Sequence, residues 1–176
     1  MTAPATIVFV AGALGLVVIG RRHLTRPDHH GFWRVWGFIA LLGLVCQNAR
    51  VWFAAPWAAG QLASWSLLIL SGMVAFTAGR QLRVLGRPLS GIEPTTALVT
   101  DGIYAHVRHP LYVSLLLLVV GSWLKDVTWA ASGWAVAAAA AILATAWTEE
   151  KELVAQFGEA YRSYRRQVRG FIPGIL

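Results

Sequence analysis

The sequence has 176 residues, of which 57% are hydrophobic and only 13% are charged, and its formal net charge is +7. A soluble domain of this size carries more charge, so the composition indicates an integral membrane protein. Nearly all Lys and Arg residues fall between apolar runs. The positive charge is therefore interpreted as a signal of membrane topology, and nucleic-acid binding is not expected.

Five apolar runs follow in chain order, at residues 7–20, 35–49, 62–79, 111–124 and 129–147. About 20 helical residues cross a hydrocarbon core of roughly 30 Å, so each run predicts a transmembrane helix, the shorter ones extended by flanking Trp and Arg. The first run lacks the basic start and cleavage site of a secretion signal, and we expect it to be retained. The sequence thus predicts an all-α integral membrane fold with about five transmembrane helices.

The basic residues are distributed unequally between the two ends of these runs. Only Arg50 and Lys125 belong to one end, whereas the connections after the first, third and fifth runs are rich in Arg. By the positive-inside rule, we expect the N-terminus outside and the C-terminus in the cytoplasm, which requires an odd number of spans. The residues of the basic end are Arg21, Arg22, Arg26, Arg34, Arg80, Arg83, Arg87, Arg108, Lys151, Arg162, Arg165, Arg166 and Arg169.

The segment after Glu150 predicts an amphipathic helix along the cytoplasmic interface. A helix that continues unbroken from the fifth run places Glu150 on the apolar side and Glu149 at its margin, so both acids face inward. Gly158 costs about 1 kcal/mol in a helix interior and is a position where the helix can break. The apolar face is formed by Leu153, Phe157, Tyr161, Tyr164 and Val168, and the solvated face by Lys151, Glu159, Arg162, Arg165, Arg166 and Arg169.

A polar segment at residues 102–112 lies directly before the fourth run. Pro110 predicts a helix start that keeps His109 out of the helical conformation. His109 then lies where unpaired backbone N–H groups and the helix dipole favour a carboxylate or phosphate, with the charge of Arg108 beside it. Polar groups at the edge of hydrocarbon are costly to desolvate. This segment and Glu149–Glu150 therefore predict the functional site.

Three other groups have plainer interpretations. His106 and His109 have a spacing that suits a metal, but two ligands without a third predict no metal site. His29 and His30 are interpreted as a solvated loop pair. Cys46, the single cysteine, is interpreted as a buried structural thiol.

The motif Gly102-x-Tyr104-x-x-x-Arg108-His109-Pro110-x-Tyr112, followed by Glu149-Glu150-x-x-Leu153-x-x-x-Phe157-Gly158-x-x-Tyr161-x-x-Tyr164-x-x-x-Val168 and by Pro173, resembles the isoprenylcysteine carboxyl methyltransferase and phospholipid methyltransferase superfamily. The resemblance covers residues 98–175. It implies that S-adenosylmethionine, converted to S-adenosylhomocysteine, binds at the cytoplasmic ends of the last helices, with a lipid-like acceptor entering from the bilayer. Residues 1–176 then form a single membrane domain, with N-terminal spans in 1–90 and the methyltransferase core in 91–176.

The resemblance also implies residue roles. Arg108 borders the acceptor and Glu150 is a candidate catalytic proton acceptor, as are His106 and His109. The inward acids suit the sulfonium and ammonium of the cofactor, and the helix start at His109 suits its carboxylate. No metal is required. The implied cofactor residues are Thr96, Leu98, Val99, Tyr104, His109, Pro110, Leu111, Tyr112 and Glu149.

One position departs from the family pattern. Four residues before Glu149, prenylcysteine carboxyl methyltransferases carry an arginine associated with the substrate carboxylate, whereas this chain has Thr145. The departure favours phospholipid amines, lipid phenols or related lipid nucleophiles, and prenylcysteine carboxyl methylation stays an alternative. A membrane reductase using NADPH and a non-enzymatic membrane subunit are further alternatives. The expected partners are membrane lipids and a lipophilic or lipidated acceptor, and the sequence does not define the oligomeric state.

Overall fold

The computed structural model describes residues 1–86 and 97–172. Thr96, Arg87 and Pro173, which the sequence analysis names, lie outside the described residues. Within those residues the regular structure is helical apart from one isolated bridge between Val107 and Arg169. The helices are α1 (Ala3–Gly20), α2 (His30–Gln47), α3 (Ala59–Leu85), α4 (Pro110–Trp123), α5 (Trp129–Phe157) and α6 (Glu159–Gln167), with 3₁₀ turns at Ala49–Val51 and Gly102–Ala105.

Each of the five apolar runs forms a helix, as the sequence predicts. By length and composition, α1, α3 and α5 are able to cross a membrane. The apolar helix α4 has 14 residues and is therefore about 21 Å long, and α2 has 18 residues with a polar first turn. The count of five spans and their orientation stay predictions.

The closely packed helix pairs α1–α2, α2–α5 and α3–α4 run antiparallel. The hydroxyls of Ser64 and Ser71 on α3 donate to the carbonyls of Gly121 and Ser114 on α4, both at 2.7 Å. Gly37 on α2 lies directly against Ala141 and Ile142 in the middle of α5, and the apolar core lies among α2, α4 and α5. The bundle therefore has two distinct ends. We call the site end the one formed by the carboxyl ends of α1, α3 and α5 with the amino ends of α2 and α4.

Local sequence determines where the helices of the site end begin and stop. Pro110 opens α4, and His109 before it is non-helical with φ −119° and ψ 55°, as predicted. The helix α5 continues unbroken through Glu149 and Glu150 and ends where Gly158 has φ +57°. Because a positive φ strains residues with a side chain, Gly158 permits the turn from α5 into α6.

The turn before α4 is fixed to α3 by a second glycine. Gly102 has φ +60°, and a Cβ there would meet the Gln81 side chain at 2.2 Å. Gln81 instead accepts a hydrogen bond from the Ile103 amide at 3.0 Å. This close approach holds Tyr104 against Ala78 and Val99. The start of the polar segment is therefore packed against α3.

Candidate active site

Glu150 is the centre of a buried ion-pair cluster at the site end. Its side chain is only 9% exposed, and its Oε1 accepts from Arg108 Nε at 3.0 Å and Nη2 at 2.6 Å. The same oxygen lies 3.1 Å from His109 Nε2, and Oε2 lies 3.3 Å from Arg165 Nε. One carboxylate thus joins α5 to α6 and to the segment before α4.

Arg108 connects this cluster to the end of the described chain. Its Nη1 donates to the carbonyls of Val168 and Arg165. The amides of Arg108 and His109 donate to the carbonyls of Arg169 and Gly170 at 2.8 and 3.0 Å. Each guanidinium nitrogen of Arg108 therefore already has a protein partner.

His109 is buried where three aromatic or charged groups meet. Its ring lies 5.6 Å from the rings of both Tyr112 and Phe171, and its Nε2 faces Glu150. The His109 side chain does not cap the start of α4. The first amides of a helix have no partner within it, so those of Leu111 and Tyr112 are available to an anion.

Three of the residues implied for the cofactor pack together beside α3. Tyr104 and Val99 are buried and contact Leu111, whereas Leu98 is half-buried. The Tyr164 hydroxyl donates to the Tyr104 carbonyl at 2.5 Å. Burial raises the pKa of both phenols, that of Tyr164 to about 12, so both stay protonated at neutral pH.

Glu149 differs sharply from its neighbour. It is half-buried, and its charge acts on the hydroxyls of Tyr104, Tyr112 and Tyr161 around it. Within residues 1–86 and 97–172, no salt bridge to Glu149 is formed. A half-buried carboxylate near three phenols, and without a salt bridge in this part of the chain, is suited to binding a cation.

A narrow crevice between α2, α4 and α5 adjoins Glu149 through Tyr112. Thr145 lies in its wall, but its buried hydroxyl donates to the Ala141 carbonyl at 2.7 Å and is not available to a ligand. A wider groove of about 440 Å³, open to the surface, lies outside α5 and includes Glu150 and Arg165. The crevice is lined by Arg34, Gly37, Phe38, Leu41, Tyr112, Leu115, Ile142 and Thr145.

One interpretation from sequence is wrong. Arg165 is exposed, as predicted for the solvated face, and its Nε also lies 3.3 Å from Glu150 Oε2. His29 and His30 are not a solvated loop pair, because both are half-buried and His30 opens α2 with its Nδ1 2.5 Å from Glu152 Oε2. Residues 122 positions apart make this contact, so no local spacing predicts it.

The histidine pair also tests the expectation that no metal is bound. Ligand atoms of His29, His30 and Glu152 lie within 4.8 Å of one another. However, His29 Nδ1 accepts from the Gly31 amide at 2.9 Å, and Glu152 accepts from both the ring and the amide of His30. His29 Nδ1 therefore already caps α2, and the Glu152 carboxylate is already bound to His30. His106, the other candidate ligand, is exposed while His109 is buried.

Comparison with known proteins adds independent evidence. The model of the family described as phospholipid methyltransferase matches residues 60–160. The chain belongs to this family. The match includes α3, α4, α5 and the polar segment, so the resemblance inferred from the motifs is confirmed.

Similar proteins carry methyltransferase names. The chain is 36% identical over 84 residues to a protein-S-isoprenylcysteine O-methyltransferase of Schizosaccharomyces pombe, covering 44% of this chain and 34% of that protein. It is 43% identical over 77 residues to a methanethiol S-methyltransferase of Crocosphaera subtropica, covering 43% and 29%. It is 30% identical over 145 residues to a methanethiol S-methyltransferase of a Pseudomonas species, covering 77% and 55%. The chain thus spans about half or less of the length of these relatives.

Proposed function

We propose that this chain catalyses methyl transfer from S-adenosylmethionine to a lipid-soluble nucleophile that enters from the membrane. The observation that carries the proposal is Glu149, a half-buried carboxylate without an ion-pair partner among the described residues, placed beside Tyr112. Membership of the phospholipid methyltransferase family supports the same reaction class. The comparisons give no support to the alternative of a membrane reductase.

The residues present fit the chemical groups of this cofactor. A carboxylate flanked by the phenols of Tyr104 and Tyr112 suits a sulfonium or ammonium. The uncapped start of α4 beside His109 suits a carboxylate. When bound, the cofactor supplies an electrophilic methyl group. Thr96, which the resemblance also implies, lies outside the described residues.

We propose that the chain contributes mainly orientation and exclusion of water. Positioning of two reactants accounts for about 7 to 11 kcal/mol in favourable intramolecular cases. Arg108 and Glu150, expected to be catalytic, bind each other. A carboxylate held by Arg108, His109 and Arg165 is a poor proton acceptor, so we assign both residues a positioning role.

The position of the site in the cell is a second part of the proposal. Basic residues such as Arg22, Arg80 and Arg108 lie at the site end, whereas Arg50 and Lys125 lie at the opposite end. By the positive-inside rule, we place the site end in the cytoplasm. A reporter fused after Leu176 is expected to behave as cytoplasmic, and a signal from outside the membrane would contradict this orientation.

The test of the activity is direct methyl transfer. Purified protein in lipid nanodiscs is incubated with methyl-labelled S-adenosylmethionine and, separately, a phospholipid amine, a lipid phenol, a prenylcysteine carboxylate analogue and a short alkanethiol. The last two probe the acceptors named for the relatives. We expect label in at least one acceptor together with S-adenosylhomocysteine. Absence of both cofactor binding and transfer would contradict the proposal and favour a non-enzymatic subunit.

A further inference from the structure

The groove on the outer face of α5 combines cationic and apolar side chains. It is lined by Trp147, Glu150, Lys151 and Val154 on α5 and by Arg165 on α6. The α5 residues occupy positions i, i+3, i+4 and i+7, so they share one face of that helix. The groove has a volume of about 440 Å³ and is open to the surface, which leaves room for a lipid head group.

Both cations of the groove have free donors. Lys151 is exposed, and in residues 1–86 and 97–172 neither a hydrogen bond nor an ion pair reaches its ammonium group. The Arg165 side chain is 55% exposed, and among the described residues only its Nε has a partner, Glu150 Oε2 at 3.3 Å. The two terminal nitrogens of Arg165 therefore remain as a planar pair of donors. Such a fork beside an ammonium group suits the oxygens of a phosphate.

The carboxylate in the groove does not exclude an anion. Glu150 is only 9% exposed, and its Oε1 is already bound by Arg108 and lies 3.1 Å from His109 Nε2. The guanidinium of Arg108 alone balances the charge of this carboxylate. Lys151 and Arg165 then make the local charge positive, so the groove favours an anion over a cation.

The position of these cations along α5 places them at the depth of lipid head groups. Trp147 ends the last apolar run and is exposed, as is typical of a tryptophan at the boundary of the hydrocarbon. Lys151 follows one turn later, about 6 Å further along the helix axis. The head-group region is roughly 5 to 7 Å thick on each side of a bilayer. The groove therefore opens at the level of the lipid phosphates.

We propose that this groove binds the phosphate of an anionic phospholipid, held by Lys151 and Arg165. The apolar part of the lipid lies against Trp147 and Val154. A free phosphate satisfies the two cations but leaves the two apolar side chains exposed to water, so an amphiphile fits the groove better. This lipid is not the methyl acceptor, since the groove lies outside α5, whereas Glu149 faces the phenols beside α4. The inference does not depend on the proposed methyl transfer.

The bound lipid joins two helices. Lys151 on α5 and Arg165 on α6 lie on either side of the turn at Gly158. A phosphate held by both cations therefore fastens α6 to the end of α5. Because Arg165 also contacts Glu150, the lipid stabilises the helix that contributes this arginine to the buried ion-pair cluster.

Native mass spectrometry measures the binding directly. The purified chain in detergent is titrated with dioleoylphosphatidylglycerol, with dioleoylphosphatidylcholine, and with the first lipid in excess inorganic phosphate. We expect phosphatidylglycerol to be retained at lower concentration than phosphatidylcholine, and inorganic phosphate not to displace it. A basic residue beside anionic lipid contributes about fivefold in affinity, or about 1 kcal/mol. Lys151→Gln and Arg165→Gln should each weaken phosphatidylglycerol binding by this factor.

Arg166→Gln is the matched control. It removes the same charge from the same helix, but Arg166 does not line the groove and pairs with the exposed Glu159. Its affinity for phosphatidylglycerol should equal that of the wild type. Equal losses in Arg166→Gln and Lys151→Gln would show diffuse charge attraction and overturn the proposal. Phosphatidylcholine retained as tightly as phosphatidylglycerol, or displacement by inorganic phosphate, would also overturn it.

Hydrogen exchange tests the link between the helices. Lys151→Gln breaks no contact among the described residues, so it should fold like the wild type. In lipid nanodiscs, phosphatidylglycerol should slow exchange of the α6 amides in the wild type relative to phosphatidylcholine. The same comparison should show little change in Lys151→Gln. Equal slowing in both proteins would mean that the lipid does not bridge α5 and α6 through this lysine, and the proposed site would be wrong.

Discussion

The two ends of the bundle stabilise buried charge in different ways. At the end opposite the site, Lys125 is buried with its Nζ 3.7 Å from the centre of the Trp65 ring, and it donates to Gln61 Oε1 at 2.9 Å and the Trp52 carbonyl at 3.4 Å. At the site end, Glu150 is held by ion pairs. The groups around Lys125 are neutral, whereas those around Glu150 are charged.

The two ends also differ in whether their charged side chains have partners. None of the partners of Lys125 is charged, and the lysine needs no ligand from outside. At the site end, Glu149 and Arg34 have no ion-pair partner among the described residues. Because stability alone would favour pairing or replacing such groups, their position supports the proposed binding of a cationic cofactor beside Glu149.

The largest predicted effect is on stability at the site end. Arg108→Met leaves Glu150 buried without its main partner and should lower the free energy of unfolding by about 3 kcal/mol, the lower end of the usual range because His109 and Arg165 remain. Unfolding in mixed micelles, followed by circular dichroism, measures this change.

Two variants control that experiment. Arg166→Met removes an exposed ion pair to Glu159 and should change stability little. The double variant Arg108→Met with Glu150→Met removes both charges and should recover part of the loss. A single Arg108→Met variant as stable as Arg166→Met would mean that the Glu150 cluster is not buried as described.

A smaller effect is predicted at the opposite end. Lys125→Met should cost about 1 to 3 kcal/mol, because the Gln61 carbonyl loses its donor and the contact with Trp65 loses its cation. The same unfolding measurement applies. Affinity for S-adenosylmethionine should stay at the wild-type value, and a clear loss of affinity would show that the two ends are coupled.

The smallest predicted effect concerns Tyr164, whose pKa is raised to about 12 by burial. Since the unfolded pKa is about 10, its contribution to stability is present below pH 10 and is lost as pH rises from about 10 to about 12. Tyr164→Phe should cost about 1 kcal/mol at neutral pH and flatten the alkaline loss. An equally steep loss in the variant would assign the alkaline transition to other buried phenols such as Tyr161.

Sequence patterns predict the helices better than the contacts between them. Apolar runs and Pro110 are local signals, and they place α4 and the unbroken α5 correctly. The contacts of Arg165 with Glu150 and of His30 with Glu152 depend on how distant helices pack, which periodicity does not encode. For the same reason, the departure at Thr145 from the family arginine did not predict that Arg34, on another helix, lines the same crevice.

The central claim is that Glu149 binds the cationic part of S-adenosylmethionine, and calorimetry in detergent tests it most directly. Glu149→Gln keeps the shape and removes the charge, so the affinity should fall by about ten- to a hundredfold, or roughly 1.5 to 3 kcal/mol. The matched control is Glu159→Gln on the exposed face of α6, where the carboxylate pairs with Arg162 and Arg166. Its affinity should equal that of the wild type. Equal binding by Glu149→Gln and Glu159→Gln, in variants that remain monodisperse, would contradict the account.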